Sequence, residues 1–168
     1  MNPAVVAILG LVTLQRLGEL WLSNRNTRAL LATGAREHGR AHYPLLVGLH
    51  VAWLAALWWL APSREVAWPL VAAYALLQLG RAWAIGSLGR RWTTRIIVLP
   101  DAPLVRSGPY RFVRHPNYVI VSLEVALLPL AFGLWQVALA FTLLNAAVLA
   151  VRIRAEDRAL AGPRDRRR

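Results

Sequence analysis

A chain of 168 residues is the length of one domain. Its 57% apolar content and eight Trp are too greasy for a soluble domain of that size, so the class to test is a membrane protein. The net charge of +12 comes from twenty arginines and no lysine, but they cluster in the gaps between apolar runs. Cytoplasmic membrane loops facing anionic lipid have that pattern, whereas a nucleic-acid binder would spread its cations over a soluble face. Nucleic acid is therefore not an expected partner. The absence of Cys excludes disulfides, thiolate metal sites and cysteine nucleophiles.

The first apolar run, residues 3–22, has no basic segment before it and no small-residue cleavage pattern, so it reads as a retained anchor. Gln15, Glu19 and Asn26 share one helical stripe at spacings of four and seven. Ionisable groups in a membrane helix are functional candidates because hydrocarbon penalises them. Glu19 accordingly reads either as a substrate contact or as packing glue neutralised by Arg16 three residues away. Next comes a gap with Arg25, Arg28, Arg36 and Arg40; His38 and His42 lie in it four apart, but Gly34 and Gly39 make it a loop rather than a metal-binding helix.

Apolar runs at 44–61 and 66–85 follow, the second carrying Gln78 and Arg81 near its end. The GSLG of residues 86–89 follows no strand and is no dinucleotide fingerprint. Between Arg90 and Arg114 lie six arginines, ending in the stretch GPYRFVRHPNY, residues 108–118. Pro116 suits the first turn of a helix, which puts His115 near the N-cap and Tyr118 in the first turn. Free backbone donors and Arg114 at such an end favour a carboxylate or phosphate. The plainer alternative is an interfacial cap with Tyr118 in the aromatic belt.

Residues 119–151 are too long for one span, and Pro129 and Gly133 divide them into a hairpin with arms at about 116–132 and from about 135 onward. Asn145, Arg152 and Glu156 share a stripe on the second arm. They read either as a polar face for a ligand or as an Arg152–Glu156 pair closing the helix. The expected fold is an all-α integral membrane protein with about five transmembrane helices. It forms one domain over residues 1–168: three N-terminal helices in 1–86, a cofactor-binding segment in 87–160 and a basic tail in 161–168. Arginine-rich and arginine-poor gaps alternate, which puts the N-terminus outside, the C-terminus in the cytoplasm and the polar motifs on the cytoplasmic side of the inner membrane.

GPYRFVRHPNY, followed about 35 residues later by RIRAED at 152–157, resembles the isoprenylcysteine carboxyl methyltransferase family of integral-membrane enzymes. LGRRWTTRIIVLPDAPLVRSGPYRFVRHPNY looks like its small bacterial branch, as does RLGELWLSNRNTRALLATGAREHGRAHYPLLVGLH. Some members of that branch methylate alkylpyrones or alkylresorcinols made by type III polyketide synthases. The resemblance implies S-adenosylmethionine as cofactor, in a cytoplasm-facing pocket reached sideways through the bilayer by a lipophilic acceptor. His115 and Tyr118, with Tyr110 and Arg114 of the same segment, would contact the cofactor, and Glu156 would hold its polar groups. Arg152 would lie beside the acceptor oxygen, making Arg152 and Glu156 the catalytic pair, with Asn145, Arg152 and Glu19 on the acceptor. Relatives commonly carry a second Glu and an aromatic-rich tail; here Asp157 and GPRDRRR stand instead. Two other classes use the same residues: a nicotinamide-dependent reductase of the sterol-reductase kind, with phosphate at RHPNY, and a non-enzymatic scaffold whose arginine-rich loops recruit anionic lipid.

Overall fold

The computed structural model describes residues 1–100, 102–103 and 105–161. It contains five α-helices: α1 (Pro3–Ala32), α2 (Tyr43–Leu60), α3 (Trp68–Leu88), α4 (Pro116–Ala131) and α5 (Trp135–Ala161). Their starts are marked by proline. Pro3, Pro44, Pro69 and Pro116 each occupy one of the first two helical positions, where a missing N–H breaks no bond. Asn2 also caps α1, its side chain accepting from the Ala4 amide at 3.0 Å.

Two of the stops are marked by glycine. Gly34 after α1 and Gly133 after α4 adopt left-handed φ of 90° and 68°, which a side chain would disfavour. Gly34 and Ala35 donate to Leu31 and Leu30, and Gly133 and Leu134 to Leu130 and Pro129. Each pair satisfies the last carbonyls of its helix. The hairpin therefore turns where Pro129 and Gly133 place it.

The all-α architecture and the five helices are as the sequence predicts, with two differences. Helix α1 runs ten residues past the expected end at 22, because Ser23, Asn26 and Thr27 are buried against neighbours instead of marking a surface loop. In addition, β1 (Arg36–His38) pairs antiparallel with β2 (Ile96–Val98), Arg36 opposite Val98, so His38 lies in a short strand. His42 lies in the 3₁₀ turn before α2.

Three helices, α1, α2 and α5, are long and apolar enough to cross a membrane, and α4 is a shorter apolar helix. Helix α3 carries Gln78 and Arg81 in its second half, yet it too exposes Trp68, Leu76, Leu79 and Trp83 on its outer face. With Leu14, Trp21, Val51, Trp59, Leu139 and Leu143 also exposed, the bundle wears the large apolar side chains a lipid-facing surface needs. The chain is an integral membrane protein.

One end of the bundle gathers the arginine-poor connections. The Asn2 amide donates to Pro62 O at 2.5 Å, the Asn2 side chain to Arg64 O at 3.0 Å, and the Ala67 amide to Ala131 O at 2.8 Å. The other end holds the two arginine-rich connections, joined by the β1–β2 pairing and in contact with α5. Between the ends lies a core of Val5, Leu9, Trp53, Leu57, Val125, Leu128 and Phe132. Trp53 is anchored by its indole N–H, which donates to Val125 O at 3.2 Å.

Candidate functional site

The arginine-rich end opens into a cavity of about 1100 Å³. That is at the upper end of the roughly 300–1,000 Å³ typical of a small-molecule site. Its rim is built from three segments brought together by Thr94, which sequence inspection does not single out. The Thr94 amide donates to Ser23 Oγ of α1 at 2.8 Å, its hydroxyl meets Tyr43 Oη of α2 at 3.0 Å, and its carbonyl accepts from Arg152 Nη2 of α5 at 2.6 Å.

Arg152 does not pair with Glu156. Its Nε donates to the Tyr118 hydroxyl at 2.8 Å, and that hydroxyl donates in turn to Glu156 Oε2. The first turn of α4 and the last turns of α5 thus meet through one phenol, 34 and 38 residues from its partners. The His115 ring stacks on Tyr118 with centroids 5.3 Å apart. Stacking orients the imidazole at the mouth of the cavity, and its Nε2 is buried with no hydrogen-bond partner. Asn117 Oδ1 is likewise buried and unpartnered, and both residues line the cavity. The α4 N-terminus carries no side-chain cap; the Tyr118 amide donates to His115 O at 3.1 Å and Pro116 has no N–H, which leaves the Asn117 amide as the free donor of the first turn.

The glycine of GPYR explains how Tyr110 reaches the site. Gly108 has φ of 58°, and a Cβ there would come within 2.0 Å of Ser87 Oγ and 3.2 Å of Trp83 Nε1. Only a bare backbone lets the 3₁₀ turn Gly108–Arg111 pack this closely on α3. Tyr110 then lines the cavity near Glu156. Desolvation by burial, reinforced by the Glu156 charge, pushes its hydroxyl up to about 12. It is a hydrogen-bond donor at any physiological pH.

The remaining sequence candidates divide. Arg114 is mostly exposed, 3.1 Å from Asp157 Oδ1, and His115 Nε2 lies 3.6 Å from the same oxygen. These are ion-pair distances only, since neither contact is aligned as a hydrogen bond. Glu19 lines the deep end of the cavity. Asn145 is fully buried on the α4–α5 interface, donating to Ser122 Oγ at 3.2 Å, and is not among the described residues that line the cavity. The stripe reading aligned it with Arg152 and Glu156, but two turns separate them and α4 lies across the upper part of that face. The tail GPRDRRR, residues 162–168, lies outside the described residues.

The deep end holds a polar network that crosses three helices. Glu19 of α1 receives Arg81 Nη2 of α3 at 2.7 Å and Arg16 Nη1 at 3.0 Å. Glu124 of α4, fully buried, receives Arg16 Nη2 at 2.6 Å, Arg81 Nη1 at 2.8 Å and Gln78 Nε2 at 2.9 Å. Gln15 bonds both Gln78 and Glu19. Two guanidiniums face two carboxylates, so the group is neutral as a whole. The stripe spacing marked Gln15 and Glu19, but nothing local marks the pairing of Arg81 with Glu124 across 43 residues.

An all-α membrane protein whose large cavity joins a charged, arginine-rich end to an apolar interior is the class that this fold and site define. The chain belongs to the isoprenylcysteine carboxyl methyltransferase (ICMT) family, whose model matches residues 70–162 and so covers α3 to α5 with the whole Tyr118–Arg152–Glu156 cluster. The family is one of methyltransferases. Among relatives, the chain is 34% identical over 166 residues to "Uncharacterized protein YpbQ" of Bacillus subtilis (strain 168), covering 91% of this chain and 94% of that one. It is 31% identical over 152 residues to an "Uncharacterized protein" of Haemophilus influenzae, covering 87% and 88%. No solved structure matches.

Proposed function

We propose that the protein is an S-adenosylmethionine-dependent O-methyltransferase of the cytoplasmic membrane, acting on a lipidic hydroxyl or carboxyl acceptor. The observation that carries this reading is the meeting of Tyr118 with Arg152 and Glu156 at the rim of a large cavity that continues between apolar helices. The residues present fit the cofactor. Glu156 offers a carboxylate for its ribose or amino group, the uncapped α4 N-terminus takes its carboxylate, and the unpartnered His115 Nε2 and Asn117 Oδ1 supply further polar contacts. Tyr110 and Tyr118 add aromatic surface.

When bound, the cofactor supplies an electrophilic methyl group on a sulfonium. Little acid–base machinery is then needed from the protein, which must align the acceptor oxygen and exclude water. Arg152, held rigid by Thr94 O and Tyr118, presents its remaining N–H to an acceptor carboxylate or enolate. An acidic acceptor reaches the site already ionised; a phenol would pass its proton to His115 or Glu156. The apolar lining from Leu17, Leu20, Val47 and Leu54 suits a lipid tail.

The test is calorimetric titration of the detergent-purified protein with S-adenosylhomocysteine, alongside a methyl-transfer assay. Binding is expected, and Arg152→Ala and Glu156→Ala should each abolish transfer while still inserting into membranes. Tight binding of NADPH with none of S-adenosylhomocysteine would select the reductase class instead. Binding of neither would leave the scaffold.

A further inference from the structure

Arg111, Phe112, Val113 and Arg114 lead directly into His115, and all four are exposed at the cavity mouth. Phe112 is 67% and Val113 46% exposed. Lipid tails account for such exposure along the outer faces of the helices, but this apolar pair stands at the charged end. The Arg111 guanidinium lies 4.2 Å from the Phe112 ring centroid, a cation–π contact. Arg111 has no ion-pair partner among the described residues. Arg114 is 3.1 Å from Asp157, in a pair that is 66% and 39% exposed and therefore contributes little. Arg91 and Arg106 line the same mouth, again without an ion pair among the described residues; Asp101 lies outside them and offsets at most one charge.

The position of this stretch says what covers it. Gly108 is packed against Ser87, one residue before the end of α3, and Pro116 opens α4. The chain between them therefore runs from the end of one helix to the start of another, and the outer faces of those helices expose Trp83 and Val119. That is the level at which hydrocarbon gives way to a headgroup layer about 5–8 Å thick. Two cations flanking an apolar pair at that level complement an anionic amphiphile, with the phosphate on the guanidiniums and the glycerol and first acyl carbons on Phe112 and Val113. A free phosphate would satisfy the charges and leave the apolar pair in water. The segment GPRDRRR that ends the chain has four cations to one anion, so it is no complement to the mouth.

We propose that Arg111, Phe112, Val113 and Arg114 form a site for the headgroup of an anionic phospholipid in the leaflet at the arginine-rich end, and that its occupation favours binding at the cavity mouth. The stretch is fixed at both ends, by Gly108 on α3 and by Pro116 on α4, and the lipid holds its middle. His115 and the Asn117 amide follow immediately, so a headgroup seated there sets the approach to them before any soluble ligand arrives. Ordering of this kind raises affinity because less freedom is lost on binding. The lipid site stands without the methyltransferase reading, whereas its effect on the cofactor rests on that reading.

The experiment places the full chain in nanodiscs of dioleoyl phosphatidylcholine, with or without dioleoyl phosphatidylglycerol. Lipid binding is read from quenching of tryptophan fluorescence by brominated forms of the two lipids, Trp83 being 53% exposed beside the Gly108 turn. Phosphatidylglycerol should be preferred about tenfold, as two arginines at the surface imply. The double variant Arg111→Gln, Phe112→Ser should lose that preference and, since both side chains are exposed, keep its unfolding midpoint. S-adenosylhomocysteine carries no net charge, so the surface potential leaves its local concentration unchanged and its dissociation constant reads the protein alone. Phosphatidylglycerol should tighten it about threefold or more in the unaltered chain and not in the double variant. Equal quenching by the two lipids, a preference that survives the double variant, indifference of the dissociation constant to phosphatidylglycerol, or the same tightening by inorganic phosphate in phosphatidylcholine would each overturn the proposal. If S-adenosylhomocysteine binds in neither membrane, the methyltransferase reading falls and the quenching alone judges the lipid site.

Discussion

Tyr118 shows how much one hydroxyl can organise. It accepts from Arg152 and donates to Glu156, so a neutral phenol keeps a cation and an anion in fixed positions without letting them collapse onto each other. Tyr118→Phe keeps the ring and its stacking on His115 but removes both bonds. A hydrogen bond to a charged group contributes about 1.5–3 kcal/mol, so the loss of both should lower the unfolding midpoint in detergent, and affinity for S-adenosylhomocysteine should fall because Arg152 and Glu156 are no longer held in place. An unchanged dissociation constant in the calorimeter would remove Tyr118 from the cofactor's contacts. The sequence made this residue visible because a proline fixes the start of α4 and RHPNY is unusual before an apolar run. Thr94 is as central, yet an isolated threonine in a connecting segment carries no pattern. Asn145 shows the opposite failure, since helical periodicity groups residues by face and says nothing about which neighbouring helix covers part of that face.

Among the helices, α4 is tied to α1 and α3 through Glu124, which takes hydrogen bonds from Arg16 and Arg81. Removing one member of a buried ion network costs about 3–5 kcal/mol because the remaining charges lose their compensation. Glu124→Ala should therefore lower stability by about that amount, measured as a reduced unfolding midpoint in detergent. A midpoint within a degree or two of the unaltered protein's would mean that the two guanidiniums find other partners. Helix limits were largely legible, since Pro3, Pro44, Pro69 and Pro116 open helices and Gly34 and Gly133 close them. The network was legible only in part. Gln15 and Glu19 share a face within one helix, whereas their partners Gln78, Arg81 and Glu124 come from segments whose placement depends on the whole bundle.

At the scale of the molecule, the arginines are sorted between two ends, with the connections around Pro62–Arg64 and Phe132–Leu134 at the poor end. The positive-inside rule then predicts a bundle with its cavity mouth toward the cytoplasm. A fluorescent protein fused after Arg168 should fluoresce in the cell, and alkaline phosphatase inserted near Ser63 should be active. The reverse pattern would place the cavity mouth on the far side, away from the cell's cofactor supply.

Helix α4 has 16 residues, about 24 Å of rise, against the roughly 30 Å of hydrocarbon that α1 and α5 can cross. Its far end is pinned to the α2–α3 connection through Ala67 and Ala131. The shortfall therefore falls at its beginning, where His115 and Tyr118 sit. On the proposed function, a water-soluble reagent entering there would descend several ångströms beneath the lipid headgroups before it is gripped, and a partner dissolved in the bilayer would have correspondingly less far to rise.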